Sequence, residues 1–322
     1  ASPDGGTVAA FSDPRISRRE LLQTGVMAGV GAMLSRALPA AGVAALPLIV
    51  KQIPRTGEAL PVMGIGTNAF NDPNNTVLRD VLQRMQQLGG TVIDTAAMYG
   101  QSEAVIGAAL AQLGLRSRMF LATKFNAAGV FSRDPAGSLS FERSLMRLQT
   151  DHVDLLFAHF LDSVEPLMPL MQQLKQAGKT RYIGITSVDV DQHPRLIEYM
   201  RRYPIDFVQV DYSLTNREAA TSVFPVAMER RIAVMVAVPL GGRRGSLLAQ
   251  AAGHELPGWA GDMDVSSWSQ FCLKYVVSHP AVTCAIPGSS KLQHIEDNQA
   301  AGHGRVPDAA MRRRMEQFWD RI

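Results

Sequence analysis

Cysteine is scarce in this chain, with two in 322 residues, and no CxxC, HxxxH or HxH spacing occurs. That removes the usual ligand sets of a structural or hydrolytic zinc, so no metal is expected. Cys272 and Cys284 could pair in an oxidising compartment. Yet Cys272 falls in a helical pattern and Cys284 in an apolar strand, the places of core thiols. Basic runs with aromatics between them are missing too. The 32 basic and 29 acidic residues leave a net charge of +3, and the basic side chains are scattered, so nucleic acid is not an expected partner. A third absence is a glycine-rich phosphate loop behind a strand: "GVGAML" (29–34) begins like one, but no strand precedes it. What remains, 46% hydrophobic and 19% charged with 27 glycines and 18 prolines, is ordinary globular composition for one large α/β domain or two small ones.

The first 45 residues stand apart. "ISRRELLQ" (16–23) sets Arg18-Arg19 ahead of the apolar, small-residue run "TGVMAGVGAML", and "PAAGVAALP" follows. A basic head, an apolar middle and small residues at a cut point make the layout of an export signal. The arginine pair resembles the twin-arginine signal of folded-protein export, although Leu21 stands where phenylalanine is common. The expectation is a cleaved signal over 1–45, read by the twin-arginine export machinery, and a mature domain over 46–322. That domain would be periplasmic and would not span the membrane. An uncleaved anchor or a buried helix is the alternative.

From Gly64 onward one pattern repeats: a short apolar run, a polar loop, an amphipathic helix. The runs are "MGIGT" (63–67), "TVIDT" (91–95), "MFLATK" (119–124), "VDLLFAH" (153–159), "RYIGIT" (181–186), "DFVQV" (206–210), "IAVMVAV" (232–238) and "VTCAIP" (282–287). They are continuous rather than alternating, as strands covered on both faces should be. Helices are predicted over 76–89, with a glycine stop, and over 102–114, with Ser102 as N-cap. Eight strands with helices between them read as an α/β (β/α)8 TIM barrel. A doubly wound sheet would want the missing glycine-rich loop. Ahead of the barrel, "RTGE" between two β-like runs predicts a β-hairpin that plugs its bottom. The long stretch from Pro239 to Ser266 is read as a functional loop.

In such a barrel, residues just past the carboxyl ends of the strands converge on one face. Strand two ends in Asp94 with Tyr99 in its loop, strand three in Lys124 and strand four in His159. Each alone has an ordinary explanation: a core histidine, a loop carboxylate. Four from three adjacent strands suggest a proton-donating site. A cation beside a phenol stabilises phenolate, the state that a phenolic proton donor leaves behind. A lysine in a barrel mouth needs a counter-ion, which Asp94 can supply, and a histidine beside the phenol can orient or polarise a carbonyl.

In order along residues 48–301, "GIGTN", "IDTAAMYGQSE", "LATKF", "LLFAH", "GKTRYIGIT", "FVQVDYS", "PLG" and "IPGSS…DNQAA" resemble the landmarks of the aldo-keto reductase superfamily. The resemblance implies a (β/α)8 barrel that binds NADP(H) or NAD(H) without a Rossmann domain and reduces a small aldehyde or ketone. It places the family's catalytic set on Asp94, Tyr99, Lys124 and His159. Its cofactor contacts fall on Thr67, Asn68, Asp94, Thr186, Ser187, Gln209, Pro239, Leu240, Gly241, Ser289, Asp297 and Asn298. Departures are visible. Thr186-Ser187 stands where the family usually has Ser-Asn. Ala237 replaces the aromatic that stacks on the nicotinamide (Tyr212 is nearby in sequence). Gly288 and His294 replace the Lys and Arg that hold a 2′-phosphate, a charge that Lys291, Arg243 or Arg244 could restore. Substrate choice is expected from Phe70, Met98, Phe125, Phe160 and the 239–266 loop. A cofactor-binding sensor with slow turnover is the alternative.

Overall fold

The computed structural model describes residues 46–127, 141–242 and 245–322. The expected export segment, 1–45, and Arg243-Arg244 therefore lie outside the described residues. The eight apolar runs form eight strands: β3 (Ile65–Gly66), β4 (Val92–Asp94), β5 (Phe120–Phe125), β6 (Val153–Ala158), β7 (Thr180–Ser187), β8 (Phe207–Asp211), β9 (Ala233–Ala237) and β10 (Val282–Ala285). Each pairs in parallel with the next in sequence. Parallel bridges Met63–Ala285 and Gly66–Gly288 join the last strand to the first. A doubly wound sheet has free edges, so this closure makes the fold a barrel.

Ahead of it, β1 (Val50–Gln52) and β2 (Ala59–Pro61) form the expected antiparallel hairpin. Ile53 and Leu60, both buried, join the same core cluster as Phe120, Leu155, Phe157, Phe207 and Cys284, which lines the barrel lumen. The hairpin thus fills one end of the barrel with apolar side chains. Lys51 latches it, donating to the backbone oxygens of His279 (2.7 Å) and Val282 (2.8 Å) at the start of β10.

The outer layer is α1 (Thr76–Gln87), α2 (Ser102–Leu113), α3 (Phe141–Leu148), α4 (Val164–Gln176), α5 (His193–Arg202), α6 (Glu218–Thr221), α7 (Val223–Arg230), α8 (Leu247–Gln250), α9 (Trp268–Ser278), α10 (Leu292–Ala300) and α11 (Ala309–Trp319). α1 buries Leu78, Val81, Leu82 and Met85, the stripe its spacing predicts, and Asn75 caps it by accepting from the Val77 N–H. α2 ends at Gly114 in the left-handed region, as expected.

Two expectations need correction, and the expectation of core thiols holds. Ser102 is not an N-cap: it is fully buried, and its hydroxyl meets the Thr67 backbone oxygen, Thr67 Oγ1 and Thr95 Oγ1, each at 2.9 Å. Those enclosed partners outcompete the helix end, and Gln101 takes the cap position without a side-chain bond. The 239–266 stretch is not one long loop without secondary structure. It contains α8 and a 3-10 turn over Gly258–Met263, and Trp259 packs on Phe271 and Phe318 on the outside. Cys272 and Cys284 are free and fully buried, and burial pushes both thiols up, away from thiolate. Among the described residues no helix is long and apolar enough to cross a membrane.

Candidate active site

Side chains alternate along a strand, so the lumen positions continue every second residue. Val92 and Phe120 line the lumen low in the barrel, and the same parity carries β4 to Asp94 and β5 through Ala122 to Lys124. On β6 it runs Leu155, Phe157, then His159. On β7 and β8, Tyr182 and Phe207 lead up to Thr186 and Gln209, and on β9 Ala233 and Met235 lead to Ala237. Lumen room is limited: a Cβ on Gly184 would sit 2.5 Å from the Phe157 ring and 2.8 Å from the Phe207 carbonyl oxygen. Glycine there lets the large rings of the lower layer pack, and the polar side chains crown them.

The crown is tied together by hydrogen bonds. Lys124 Nζ donates to Asp94 Oδ2 at 2.5 Å and to the Thr95 backbone oxygen at 2.9 Å. Gln209 Nε2 donates to Asp94 Oδ1 at 2.9 Å, and Thr186 Oγ1 donates to Gln209 Oε1 at 3.3 Å. β4 and β8 lie four strands apart in an eight-stranded barrel, so the Asp94–Gln209 bond crosses the lumen and floors the mouth. The pair Lys124–Asp94 is almost wholly enclosed, at 1% and 3% side-chain exposure. Burial alone would pull the Lys124 ammonium down. The Asp94 carboxylate and the Tyr99 phenol reverse this and hold it above the ordinary lysine value, so it stays a cation. Burial pushes the Asp94 carboxyl up, against the opposing pull of Lys124 and Gln209.

Tyr99, half-buried in the loop after β4, lies over this pair, with Lys124 Nζ 5.0 Å from the centre of its ring. Its ring meets His159 edge-on at 5.7 Å, and His159 stacks on Phe160 at 4.6 Å. The four side chains expected from three strands are therefore brought together. Burial, then the nearby Lys124 charge, pulls His159 down to about 3, so its imidazole is neutral at working pH. Among the described residues its Nδ1 is enclosed without a partner. A proton on Nδ1 would be a buried orphan donor, which leaves Nε2 as the nitrogen that carries the hydrogen.

Two consequences follow for pH. Reduction of a carbonyl should show no step near pH 6.5 from His159, which a rate profile between pH 5 and 8 checks. Stability should behave differently. His159 near 3 and His279 near 4, the latter lowered by burial and then by Arg312 and Lys51, both lie below the unfolded value of about 6.5. Below that pH the unfolded chain binds protons that the folded chain refuses. Their contribution is intact above pH 6.5 and is lost as pH falls toward 4. The melting temperature should drop over that window, and His279→Gln should make the drop shallower.

The expected cofactor contacts are placed as follows. Thr67 is fully buried, and its hydroxyl donates to the Asp94 backbone oxygen at 2.8 Å. Asn68 is exposed at the rim beside Gly288. Ser187 Oγ donates to Gln192 Oε1 at 2.8 Å. Pro239, Leu240 and Gly241 form a turn after β9, entered through Val238 at φ +45°. A branched residue there stores strain of about 1–3 kcal/mol. Gly241, at φ +106°, admits no side chain, since a Cβ would sit 2.1 Å from the Gly245 carbonyl oxygen. Ser289 is buried within the β10–α10 loop. Asp297 accepts from Ser267 Oγ (2.8 Å) and Gln270 Nε2 (2.7 Å), and Asn298 Oδ1 from Ser269 Oγ (2.7 Å). These two tie α10 to the start of α9.

Other expected positions lie elsewhere. Phe70 and Phe125 are buried in the outer core, Phe125 against Phe141; Phe125 is one residue past Lys124 and so faces away from the lumen. Met98 and Phe160 remain at the mouth. Tyr212 cannot stand in for the missing aromatic at Ala237. It follows Asp211 by one residue, so it turns outward, stacking on Tyr275, with its hydroxyl bonded to Tyr275 Oη (3.0 Å) and Arg312 (2.7 Å). Asn126 was missed by the motif reading. Two residues past Lys124, it has lumen parity, and that was the available signal.

The chain is similar to known proteins over most of its length. The profile of the Aldo/keto reductase family matches residues 62–319. The methylglyoxal reductase YeaE of Escherichia coli (strain K12) is 32% identical over 263 residues, 78% of this chain and 88% of that protein. An NADH-specific methylglyoxal reductase of the same organism is 27% identical over 320 residues, covering 81% of this chain and 96% of its own length. A crystal structure of an aldo/keto reductase from Klebsiella pneumoniae in complex with NADP and acetate superposes with a TM-score of 0.68 at 27% identity, over 85% of this chain and 96% of that one. With a closed barrel, a lysine–carboxylate pair under a tyrosine, and a family profile spanning most of its length, this chain belongs to the aldo/keto reductase family.

Proposed function

We propose that the protein reduces an aldehyde or ketone to an alcohol with a reduced nicotinamide dinucleotide, and that Tyr99 gives the carbonyl oxygen its proton. The observation that carries this is the placement of one phenol between a buried cation, Lys124, and a neutral imidazole, His159. The nicotinamide, when bound, supplies hydride to the carbonyl carbon. The chain's own residues do the rest. His159 Nε2–H and the Tyr99 hydroxyl hold the carbonyl oxygen, and the phenolic proton passes to that oxygen as charge builds on it. Lys124 stabilises the phenolate left behind, and water returns the proton. The donor set suits a carboxamide: Thr186, Ser187 and Gln209 offer hydroxyl and amide groups at the mouth, and Ala237 adds no bulk on the lumen wall. Thr67, Asn68, Pro239, Leu240, Gly241, Ser289, Asp297 and Asn298 are assigned to the remainder of the dinucleotide.

No strong choice between NADPH and NADH is expected. Gly288 and His294 stand in place of the lysine and arginine that would make two cationic hydrogen bonds to a 2′-phosphate, each normally worth about 1.5–3 kcal/mol. Fluorescence titration with both reduced cofactors, followed by turnover of a reactive aldehyde, tests the reading. Affinities within about a hundredfold, roughly 2.7 kcal/mol, with turnover, support it. A larger preference for NADPH would assign the charge to Lys291 or Arg243. Tight binding without turnover would favour a sensor.

We further propose that residues 1–45 are a twin-arginine signal and that the mature domain works in the periplasm, on the strength of Arg18-Arg19 before the small, apolar run. Changing both arginines to lysine should hold the precursor in the cytoplasm. Unchanged export would remove the twin-arginine assignment.

A further inference from the structure

Asn126 is 6% exposed, yet its amide is almost unused. Among the described residues Oδ1 is enclosed with no hydrogen-bond partner, and Nδ2 meets the Met98 thioether at 2.7 Å, a weak acceptor. Turning the amide over would strand the nitrogen and set the oxygen against the thioether, acceptor to acceptor, so neither orientation satisfies the amide. Buried amides are rarely left this way.

Its position is specific. Phe125 pairs with Ala158 across β5 and β6, and the His159 N–H donates to the Phe125 carbonyl oxygen at 3.0 Å. Asn126 and His159 are therefore the next pair up the same two strands, and both have lumen parity. Met98, which Asn126 touches, precedes Tyr99 in the chain. The unmet amide thus sits beside the two groups that flank the carbonyl oxygen. Neighbouring strands lie about 4.8 Å apart, so a substituent on the carbon next to a carbonyl held at His159 comes within hydrogen-bond reach of Asn126.

We propose that Asn126 is a specificity-determining residue that recognises a hydroxyl on the carbon next to the reacting carbonyl, making 2-hydroxyaldehydes and 2-hydroxyketones favoured substrates. A hydroxyl both donates and accepts, so it satisfies the amide in either orientation. This rests on the reductase reading above. An alkyl group of the same size would leave the amide unmet, as it is without substrate.

The test compares glycolaldehyde with propanal, which differ by a hydroxyl in place of a methyl, in wild type and Asn126→Leu, a change that keeps shape and removes the amide. Rates are corrected for hydration of each aldehyde. The hydroxyl also activates the carbonyl intrinsically, but that effect is common to both proteins and cancels in the comparison. In Asn126→Leu, kcat/KM for glycolaldehyde should fall about tenfold, the worth of one hydrogen bond, while propanal stays within about twofold. Propanal turnover also reports that the variant is folded. Equal loss on both aldehydes would make Asn126 merely structural, and no loss on either would remove it from the site. Both results overturn the proposal while leaving the reductase reading intact. Wild type that binds cofactor and reduces neither aldehyde would overturn the reductase reading and this proposal with it.

Discussion

Tyr99→Phe should lower carbonyl reduction by roughly 10²–10⁴-fold, the usual share of general acid catalysis, with little change in fold or cofactor affinity. Phenylalanine keeps the ring that meets His159 edge-on and lies over Lys124, so the packing survives. Only the hydroxyl is lost, and with it the proton. The measurement is steady-state reduction of a reactive aldehyde beside a cofactor titration of the same preparation. Retention of most of the wild-type rate would remove Tyr99 as the acid and turn attention to His159. Lower activity together with weaker cofactor binding would instead mean that the hydroxyl serves binding.

Lys124→Met has two expected effects with separate signatures. The phenolate loses its cation, so reduction should slow, and the double variant Tyr99→Phe/Lys124→Met should be scarcely slower than Tyr99→Phe, because both changes disable one proton donor. The fold should suffer as well. Asp94 is buried and would be left with Gln209 as its described side-chain partner. Breaking a buried ion pair from one side costs about 3–5 kcal/mol. Without the ammonium, burial would raise the Asp94 carboxyl further, above its unfolded value. A group raised in the folded state favours folding below its unfolded pKa, and that contribution is lost as pH rises through the folded one. The deficit against wild type should therefore shrink on acidification. Melting temperatures of both proteins across pH 4–8 check this, and adding Asp94→Asn should restore part of the loss. A deficit that does not change with pH would mean the lost lysine stem, not the stranded carboxylate, is responsible.

The sequence by itself determined the barrel. Continuous apolar runs cannot sit in a sheet open to water, and eight of them alternating with amphipathic helices leave few ways to be covered. It also determined the main site. Asp94, Lys124 and His159 each end an apolar run, so the strand period alone aims them at one mouth, with Tyr99 a short loop away. Asn126 was legible by the same parity but carried no motif to draw the eye. Pairings that depend on barrel closure were not legible. The Asp94–Gln209 hydrogen bond joins residues 115 apart from opposite walls, and no local pattern encodes which walls face each other. Ser102 looked like a cap until the Thr67 and Thr95 hydroxyls were brought against it, since an enclosed hydroxyl goes to the partners that burial leaves it. Tyr212 was near the right place in sequence and faced the wrong way, because one residue beyond Asp211 reverses the side of the sheet. Orientation within an element follows from short-range periodicity, and the sequence carries that. Which polar groups meet across the lumen, and which are left unmet, is decided only when the strands close and water is excluded.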